Sequence, residues 1–413
     1  MKTPVVITGL GTISALGRSV DQFWEALCNG ESGIRTLTSL PLESLRIKIG
    51  AEIPAYEPHD FFSNDEIRLM DRFSQLAVIS AREAVADAGI TAEELMDAAC
   101  IIGTGCGGRV ADDESFQRLY LQGKTRGHPL TVPLVMANAA ASQVSIHLGI
   151  TGPVFVVASA CASSAHAVGQ ATAMIRSGLV DVAVAGGTDA PFTYGTLKPW
   201  EALRVMSSDT CRPFCKDRSG MVLGEGAGAV VLESLEHAKK RGARIYAELA
   251  GCGMSADAGH ITDPSSDGAA RAIKAALDDA SMNPGDVDYV NAHGTGTKAN
   301  DLSETQALHQ VFGEHAAQLM VSGTKSMHGH PLGAAGALEL VATVLAIKHG
   351  IIPPTANFTE AGEGCDLDYV PNQAREKRIK SAVSNSFAFG GLNAVLAIRA
   401  MDGTFPNQTN GSN

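Results

Sequence analysis

Cys161 stands in the stretch Ser159-Ala160-Cys161-Ala162-Ser163-Ser164. The apolar run Val154 to Ala158 precedes it, and small residues with apolar positions at Ala165, Val168, Ala171 and Ile175 follow. The pattern predicts a buried strand, a tight turn and a buried helix, with the cysteine at the turn. A thiol at a helix N-terminus meets unpaired N–H groups and the positive end of the helix dipole, which favour the thiolate and lower the thiol pKa. Small neighbours leave room for a substrate at the sulfur. The alternative is a buried core cysteine, the common state of an isolated Cys in an apolar segment.

Three downstream stretches weigh against that alternative. Asn291-Ala292-His293-Gly294-Thr295-Gly296-Thr297 places a histidine just past a strand end, in a Gly/Thr loop where backbone can approach a ligand. Gly323-Thr324-Lys325-Ser326-Met327-His328-Gly329-His330 places a lysine and two histidines in a similar position of the next unit, and Asn385-Ser386-Phe387-Ala388-Phe389-Gly390-Gly391 puts two aromatics beside glycines. His328 and His330 have no carboxylate at ligand spacing, so no metal is expected. Cys211 and Cys215 are the only close cysteine pair, and no second pair completes a zinc site.

The elements that must position these residues alternate between strand and helix. Strands are expected at Val5–Thr8, Ala99–Ile102, Val182–Ala185, Ala229–Leu232 and Ile245–Leu249, with helices at Val20–Cys28, Arg72–Ala88 and Pro133–Leu148. After residue 250 the grammar repeats: helices at Ala269–Ala280, Leu302–Phe312 and Leu332–Lys348, strands at Val287–Val290, Leu319–Val321, Ser381–Val383 and Ala394–Ile398. This predicts an α/β protein of two duplicated halves, 1–250 with the nucleophile and 251–401 with the His and Lys residues, followed by a disordered tail, 402–413. Gly103 to Gly108 formally matches GxGxxG after a strand, but Asp112 and Asp113 come too early to be the ribose carboxylate, and no clear βαβ unit follows. Gly224-Glu225-Gly226-Ala227-Gly228 lacks the GK[ST] of a phosphate loop and enters a strand.

With 413 residues, 45% hydrophobic and 18% charged, the chain can bury a large core. No apolar run reaches the roughly 18 residues of a membrane span, and the N-terminus leads into a strand without a signal-peptide pattern, so a cytoplasmic protein is expected. Eight scattered cysteines read as reduced thiols. A net charge of −12 argues against nucleic acid as a partner.

Taken together, the Cys, HGTGT and K-x-x-x-G-H motifs in that order resemble the β-ketoacyl-acyl carrier protein synthases, condensing enzymes with the thiolase fold, over essentially the whole chain. Within the family the sequence resembles the elongating class with two histidines, and is similar to long-chain synthase II and to nodulation-type synthases. His330 speaks against the initiating class, where asparagine replaces it, and Cys161 against the non-catalytic partner subunits. The resemblance implies a layered α-β-α-β-α arrangement, a homodimer, no cofactor, and decarboxylative condensation of an acyl thioester with malonyl-acyl carrier protein in fatty-acid chain elongation, with a specialised nodulation-type or polyene pathway as the alternative.

Residue by residue, the resemblance implies the following. Cys161 attacks the acyl carrier protein thioester and holds the acyl group. Backbone N–H groups of Cys161 and Phe389 form the oxyanion hole. His293 and His330 stabilise the enolate formed as CO2 leaves. Lys325 orients the site with Glu339, supported by Asp301 and Glu304. Thr295 and Thr297 bind pantetheine, and Phe389 acts as a gate. Cys106 and Trp200 shape the acyl pocket. Arg68, Lys124, Arg126 and Arg204 are candidates for docking the acidic carrier protein, against the unfavourable net charge. Two positions depart from the family: His328 stands where threonine is usual, and Leu392 where Gly-Gly is usually followed by threonine. A biosynthetic thiolase would need a second, late cysteine as base, and Cys365 lies in the loop-like Gly-Cys-Asp-Leu-Asp. A serine hydrolase would need G-x-S-x-G, which is absent.

Overall fold

Ten strands form one continuous sheet in a computed structural model that describes residues 2–401; the expected tail 402–413 lies outside the described residues. They are β1 (Val5–Ser14), β2 (Ala99–Gly103), β3 (Val154–Val157), β4 (Val182–Asp189), β5 (Gly226–Ser234), β6 (Ala247–Ala256), β7 (Tyr289–Asn291), β8 (Met320–Ser322), β9 (Ser381–Ala388) and β10 (Leu392–Arg399). The order is β8-β7-β9-β10-β6-β1-β5-β4-β2-β3. Its two halves repeat one topology. In the first half β2 runs parallel to β3 and β4, β4 is antiparallel to β5, and β5 to β1. In the second, β7 runs parallel to β8 and β9, β9 is antiparallel to β10, and β10 to β6. Val6 against Glu248 and Ile7 against Ala247 join the halves along the sheet, at β1 and β6.

Helices fill three layers around these strands. Helix α1 (Arg72–Ala88) covers the outer face of β1, β5 and β4. Asp71 caps its first turn by accepting the Phe73 N–H, and Gly89, left-handed at φ 60°, ends it. The middle layer holds α2 (Ser163–Arg176), which runs on from Cys161, and α6 (Ala335–His349). They pack on each other and on strands of both halves. Their contact faces are rich in Ala, Gly and Ser, which lets the backbones approach. Between these two in chain order come α3 (Tyr194–Leu203), α4 (Ser266–Ala280) and α5 (Lys298–Phe312). Helix α4 covers β6 and β10 on the far outer face, and α5 packs against α4. The result is the expected α-β-α-β-α layering.

Some expectations fail for local reasons. The helix expected over Pro133–Leu148 is two, Thr131–Val135 and Ala139–Leu148, because Met136 is extended between them. Leu332–Ala334 is a separate 3-10 turn before α6. The span Leu332–His349 is long and apolar enough to cross a membrane, against the reading by run length, but it is buried as the central helix of the core. All eight cysteines are free thiols.

Candidate active site

The parallel strands of both halves deliver their C-terminal ends to one place, where open α/β sheets bind ligands. β3 leads to a single 3-10 turn, Ala160–Ala162, which holds Cys161 at the start of α2. Ala160 is left-handed at φ 48°, a strained state for a residue with a Cβ. β7 ends at Asn291, two residues before His293; β8 ends three residues before Lys325; β9 runs to Ala388, next to Phe389.

His330 Nε2 lies 3.1 Å from Cys161 Sγ. The His293 and His330 rings meet edge to face at 5.4 Å and 84°, and a ring nitrogen of each lies with the sulfur in a cluster spanning no more than 4.8 Å. Burial, with the nearby Lys325 charge, holds both imidazoles well below the usual histidine pKa, so they are neutral at neutral pH. Lys325 Nζ lies 3.2 Å from His293 Nδ1 and donates to the His293 carbonyl at 2.6 Å. With Nδ1 facing an ammonium, the His293 proton sits on Nε2. Lys325 also forms a fully buried ion pair with Glu339, whose carboxyl burial pushes up.

The expected lowering of the Cys161 pKa is not what the surroundings produce. Burial pushes the thiol up to about 12; the Lys325 charge and the backbone N–H groups of Phe389 and Cys161 at the sulfur pull the other way without overcoming it. At neutral pH Cys161 is a protonated thiol beside a neutral imidazole.

Carboxylates fix the loops behind these groups. Glu304 accepts the N–H of His293 and of Gly294, both at 2.8 Å, and the Asn385 amide at 3.0 Å. Asp301 accepts the N–H of Phe214 at 2.7 Å and of Gly296 at 3.2 Å, with Arg218 Nε at 3.6 Å. Asp301 therefore holds the loop of the two threonines, and Glu304 the loop of the histidine.

Thr295 and Thr297, 3.0 Å apart at their hydroxyls, line a pocket of about 700 Å³ that opens from Cys161 past His293, His330 and Phe389. Trp200, on α3, stacks on Phe389 at 5.9 Å and 21° and closes one side. Cys106 is not in this pocket. It lines a neighbouring cavity of about 680 Å³ with Phe116, Thr193 and Pro199, and Trp200 borders both spaces. Arg68 is exposed and paired with Asp65, Lys124 and Arg126 are exposed after Leu121, and Arg204 is the exposed left-handed residue ending α3. No hydrogen bond or ion pair joins the four among the described residues. His328 is buried behind Lys325, 3.0 Å from Thr324 Oγ1, and burial takes its pKa down to about 3.

Sequence reasoning passed over Asp189, Asn385 and Arg218. Asp189 ends β4 after Gly186-Gly187, and an acidic residue closing a fully buried strand was the available signal.

The chain belongs to the β-ketoacyl synthase family. The family's N-terminal domain matches residues 2–238 and its C-terminal domain residues 246–359. It is a ketosynthase, an acyl-transferring condensing enzyme on a thiolase-like fold. It is 50% identical to nodulation protein E of Rhizobium sp. (strain N33) over 401 residues, 97% of this chain and 100% of that one. It is 43% identical to 3-oxoacyl-[acyl-carrier-protein] synthase 2 of Coxiella burnetii (strain RSA 493 / Nine Mile phase I) over 407 residues, 96% and 98% of the two chains. Among solved structures, the ishigamide ketosynthase/chain length factor superposes with a TM-score of 0.94 at 39% identity, covering 97% of this chain and all of that one. The AntDE:AntF complex, a type II PKS acyl-carrier protein with its ketosynthase bound to the hexaketide, gives 0.89 at 33% identity, over 97% and 100% of the two chains.

Proposed function

We propose that this ketosynthase extends an acyl chain held on Cys161 with a malonyl unit from acyl carrier protein, in a specialised pathway of the nodulation type. The observation that carries the chemistry is the Cys161–His330 contact at 3.1 Å, with His293 beside it. Greater identity to nodulation protein E than to the Coxiella synthase 2 supports the specialised pathway over primary fatty-acid elongation. Eight free thiols suit a reducing, cytoplasmic compartment.

In acylation the Cys161 sulfur attacks the thioester carbon, and His330 Nε2 takes the thiol proton. The oxyanion sits at the N–H groups of Cys161 and Phe389, then collapses with loss of the pantetheine sulfur, which receives the proton. Once acylated, the sulfur no longer offers a proton. His330, as its Nε2–H tautomer, joins His293 at the malonyl thioester carbonyl. The bond to CO2 breaks, its electron pair forms an enolate held by the two N–H donors, and the enolate carbon attacks the acyl carbon and expels Cys161 as a thiolate, which takes a proton from solvent to restore the thiol. Lys325 fixes the His293 tautomer, and Thr295 and Thr297 face the pantetheine arm. Phe389, with Trp200 against it, gates the two half-reactions.

Two surfaces complete the reading. β3 is an edge strand of Val and Phe residues with Phe155 39% exposed, and the stacked pair Phe116 and Tyr120 is exposed as well. Apolar edges of this kind need cover, and a second copy pairing at β3 supplies it. Arg68, Lys124, Arg126 and Arg204 are the proposed basic contacts for carrier protein, with Arg68 weakened by its pairing to Asp65.

The histidines are separable by experiment. His293→Ala is expected to form acyl-Cys161 at near the wild-type rate and to lose CO2 release from malonyl carrier protein by about 10²-fold or more. His330→Ala is expected to slow both steps. Radiolabelled malonyl and acyl donors measure each step, and unimpaired CO2 release in both variants would refute the roles.

Chain length is the second test. Trp200→Ala opens the 700 Å³ pocket to the 680 Å³ cavity. Each methylene buried there stabilises by about 0.8 kcal/mol, roughly fourfold per carbon. The kcat/KM profile is therefore expected to shift towards longer acyl chains. Cys106→Phe fills the second cavity and should lower activity on long chains but spare short ones. A length profile unchanged in both variants would show that the acyl chain takes another path.

A further inference from the structure

Two residues beside the reacting pair are strained. Ala160, before Cys161, has φ 48°, and Leu332, two residues after His330, has φ 47°. Neither is glycine, and such conformations persist only where the surroundings over-determine them. The two turns lie 172 residues apart in sequence, yet they bring Sγ and Nε2 to 3.1 Å.

One buried carboxylate connects them. Asp189, fully buried at the end of β4, accepts from the Thr104 hydroxyl at 2.7 Å and the Cys106 N–H at 3.0 Å on Oδ1. On Oδ2 it accepts the N–H of Gly105 at 2.8 Å and of Gly333 at 2.6 Å. Four donors saturate the ionised carboxylate. The Gly333 donor closes the Pro331-Leu332-Gly333 turn that follows His330. The Thr104 end reaches the other turn. Thr104 N–H donates to Val157 at 3.1 Å, and the Ser163 hydroxyl lies 3.2 Å from the Thr104 carbonyl. That hydroxyl also donates to the Ala160 carbonyl at 2.7 Å and accepts the Ser159 N–H at 2.8 Å. The approach is too close for side chains. A Cβ on Gly333 would lie 2.4 Å from the Gly105 nitrogen and 2.8 Å from Asp189 Oδ2. The Asp189 charge also opposes ionisation of the Cys161 thiol.

We infer that Asp189 is a positioning residue for acyl transfer: its carboxylate binds the Thr104–Cys106 loop and the Gly333 turn together and so sets the Cys161–His330 spacing. This rests on Cys161 being the nucleophile, but alkylation by iodoacetamide reads the thiol without any acyl donor and separates the two ideas. Asp189→Asn keeps the shape and removes the charge. Its rate of Cys161 acylation is expected to fall about 10²-fold, the loss that a misplacement of about 1 Å produces. The alkylation midpoint is expected to move down by about 0.5 to 1 pH unit as the anion is lost. KM for a short acyl donor is expected to stay within about twofold, since the residues that Asp189 holds, Thr104 to Cys106 and Gly333, do not line the pocket around Cys161. If Asp189→Asn does not fold, Thr104→Val, which at constant volume removes the donor to Asp189 and the acceptor of the Gly107 N–H, is expected to slow acylation by roughly tenfold with a Tm lower by about a few degrees. Wild-type acylation in either variant would overturn the proposal. So would a loss of acylation in Asp189→Asn that comes with a fall in Tm and leaves the alkylation midpoint in place.

Discussion

Cys161→Ala will lose condensation by roughly 10⁴-fold or more, because no acyl-enzyme forms and the remaining groups can only assist a direct attack. Fold stability will change little: the side chain is small, and its polar neighbour His330 keeps its burial. Release of CO2 from malonyl carrier protein will persist, since His293, His330 and Lys325 remain in place. Separate assays of condensation product and of labelled CO2 make the comparison. Condensation within tenfold of wild type would remove Cys161 from the mechanism, whatever happened to decarboxylation.

Lys325→Ala has the largest expected effect on stability. Lys325 and Glu339 are both fully buried, and removing the ammonium leaves a carboxylate in the core with no counter-charge. Breaking one half of such a pair costs about 3–5 kcal/mol. The same change frees Nδ1 of His293, so the imidazole loses its fixed tautomer and CO2 release falls as well. The double variant Lys325→Met, Glu339→Gln removes the isolated charge and is expected to recover most of the stability but none of the decarboxylation. Urea unfolding followed beside CO2 release distinguishes the two losses. A stability cost below about 1 kcal/mol, or recovery of both properties together, would contradict the assigned role.

How much of this was legible in the sequence depended on the distance over which a residue acts. Helix α1 was readable to the residue, Arg72 to Ala88, because its apolar stripe and terminal Gly89 are local signals. The order of Cys161, His293, Lys325 and His330 was readable because each lies in a short turn or loop of small residues after an apolar strand, and a strand end is where a parallel sheet places its chemistry. Helices α3 and Arg109–Phe116 were missed: the first carries Pro199 inside it and the second a run of acidic residues with no apolar stripe. β1 runs to Ser14, past the expected end at Thr8, through Gly9 and Gly11, which β5 holds extended.

The one local signal at Asp189, an acidic residue closing a buried strand, does not say what it binds. Its partners lie 84 and 144 residues away, and they meet only because β4 pairs with β2 in a register that puts Gly187 beside Gly103. The thiol was misjudged for a related reason. The helix start beside Cys161 was legible, but the depth of burial comes from β9, α6 and the His330 turn closing over it, and burial outweighs the dipole. Cys106 was read correctly as part of the loop after β2, yet only the fold shows Trp200 standing between it and the nucleophile's pocket.

The central claim is that Cys161 alone carries the acyl group. The direct measurement is intact-mass and peptide mapping of the wild-type protein after mixing with a long-chain acyl carrier protein in the absence of malonyl donor. One acyl mass per chain, located on the peptide that contains Cys161 and discharged when malonyl carrier protein is added, is the predicted result. An acyl group on Cys106, Cys211 or Cys365, or condensation product formed without any acylated intermediate, would contradict it.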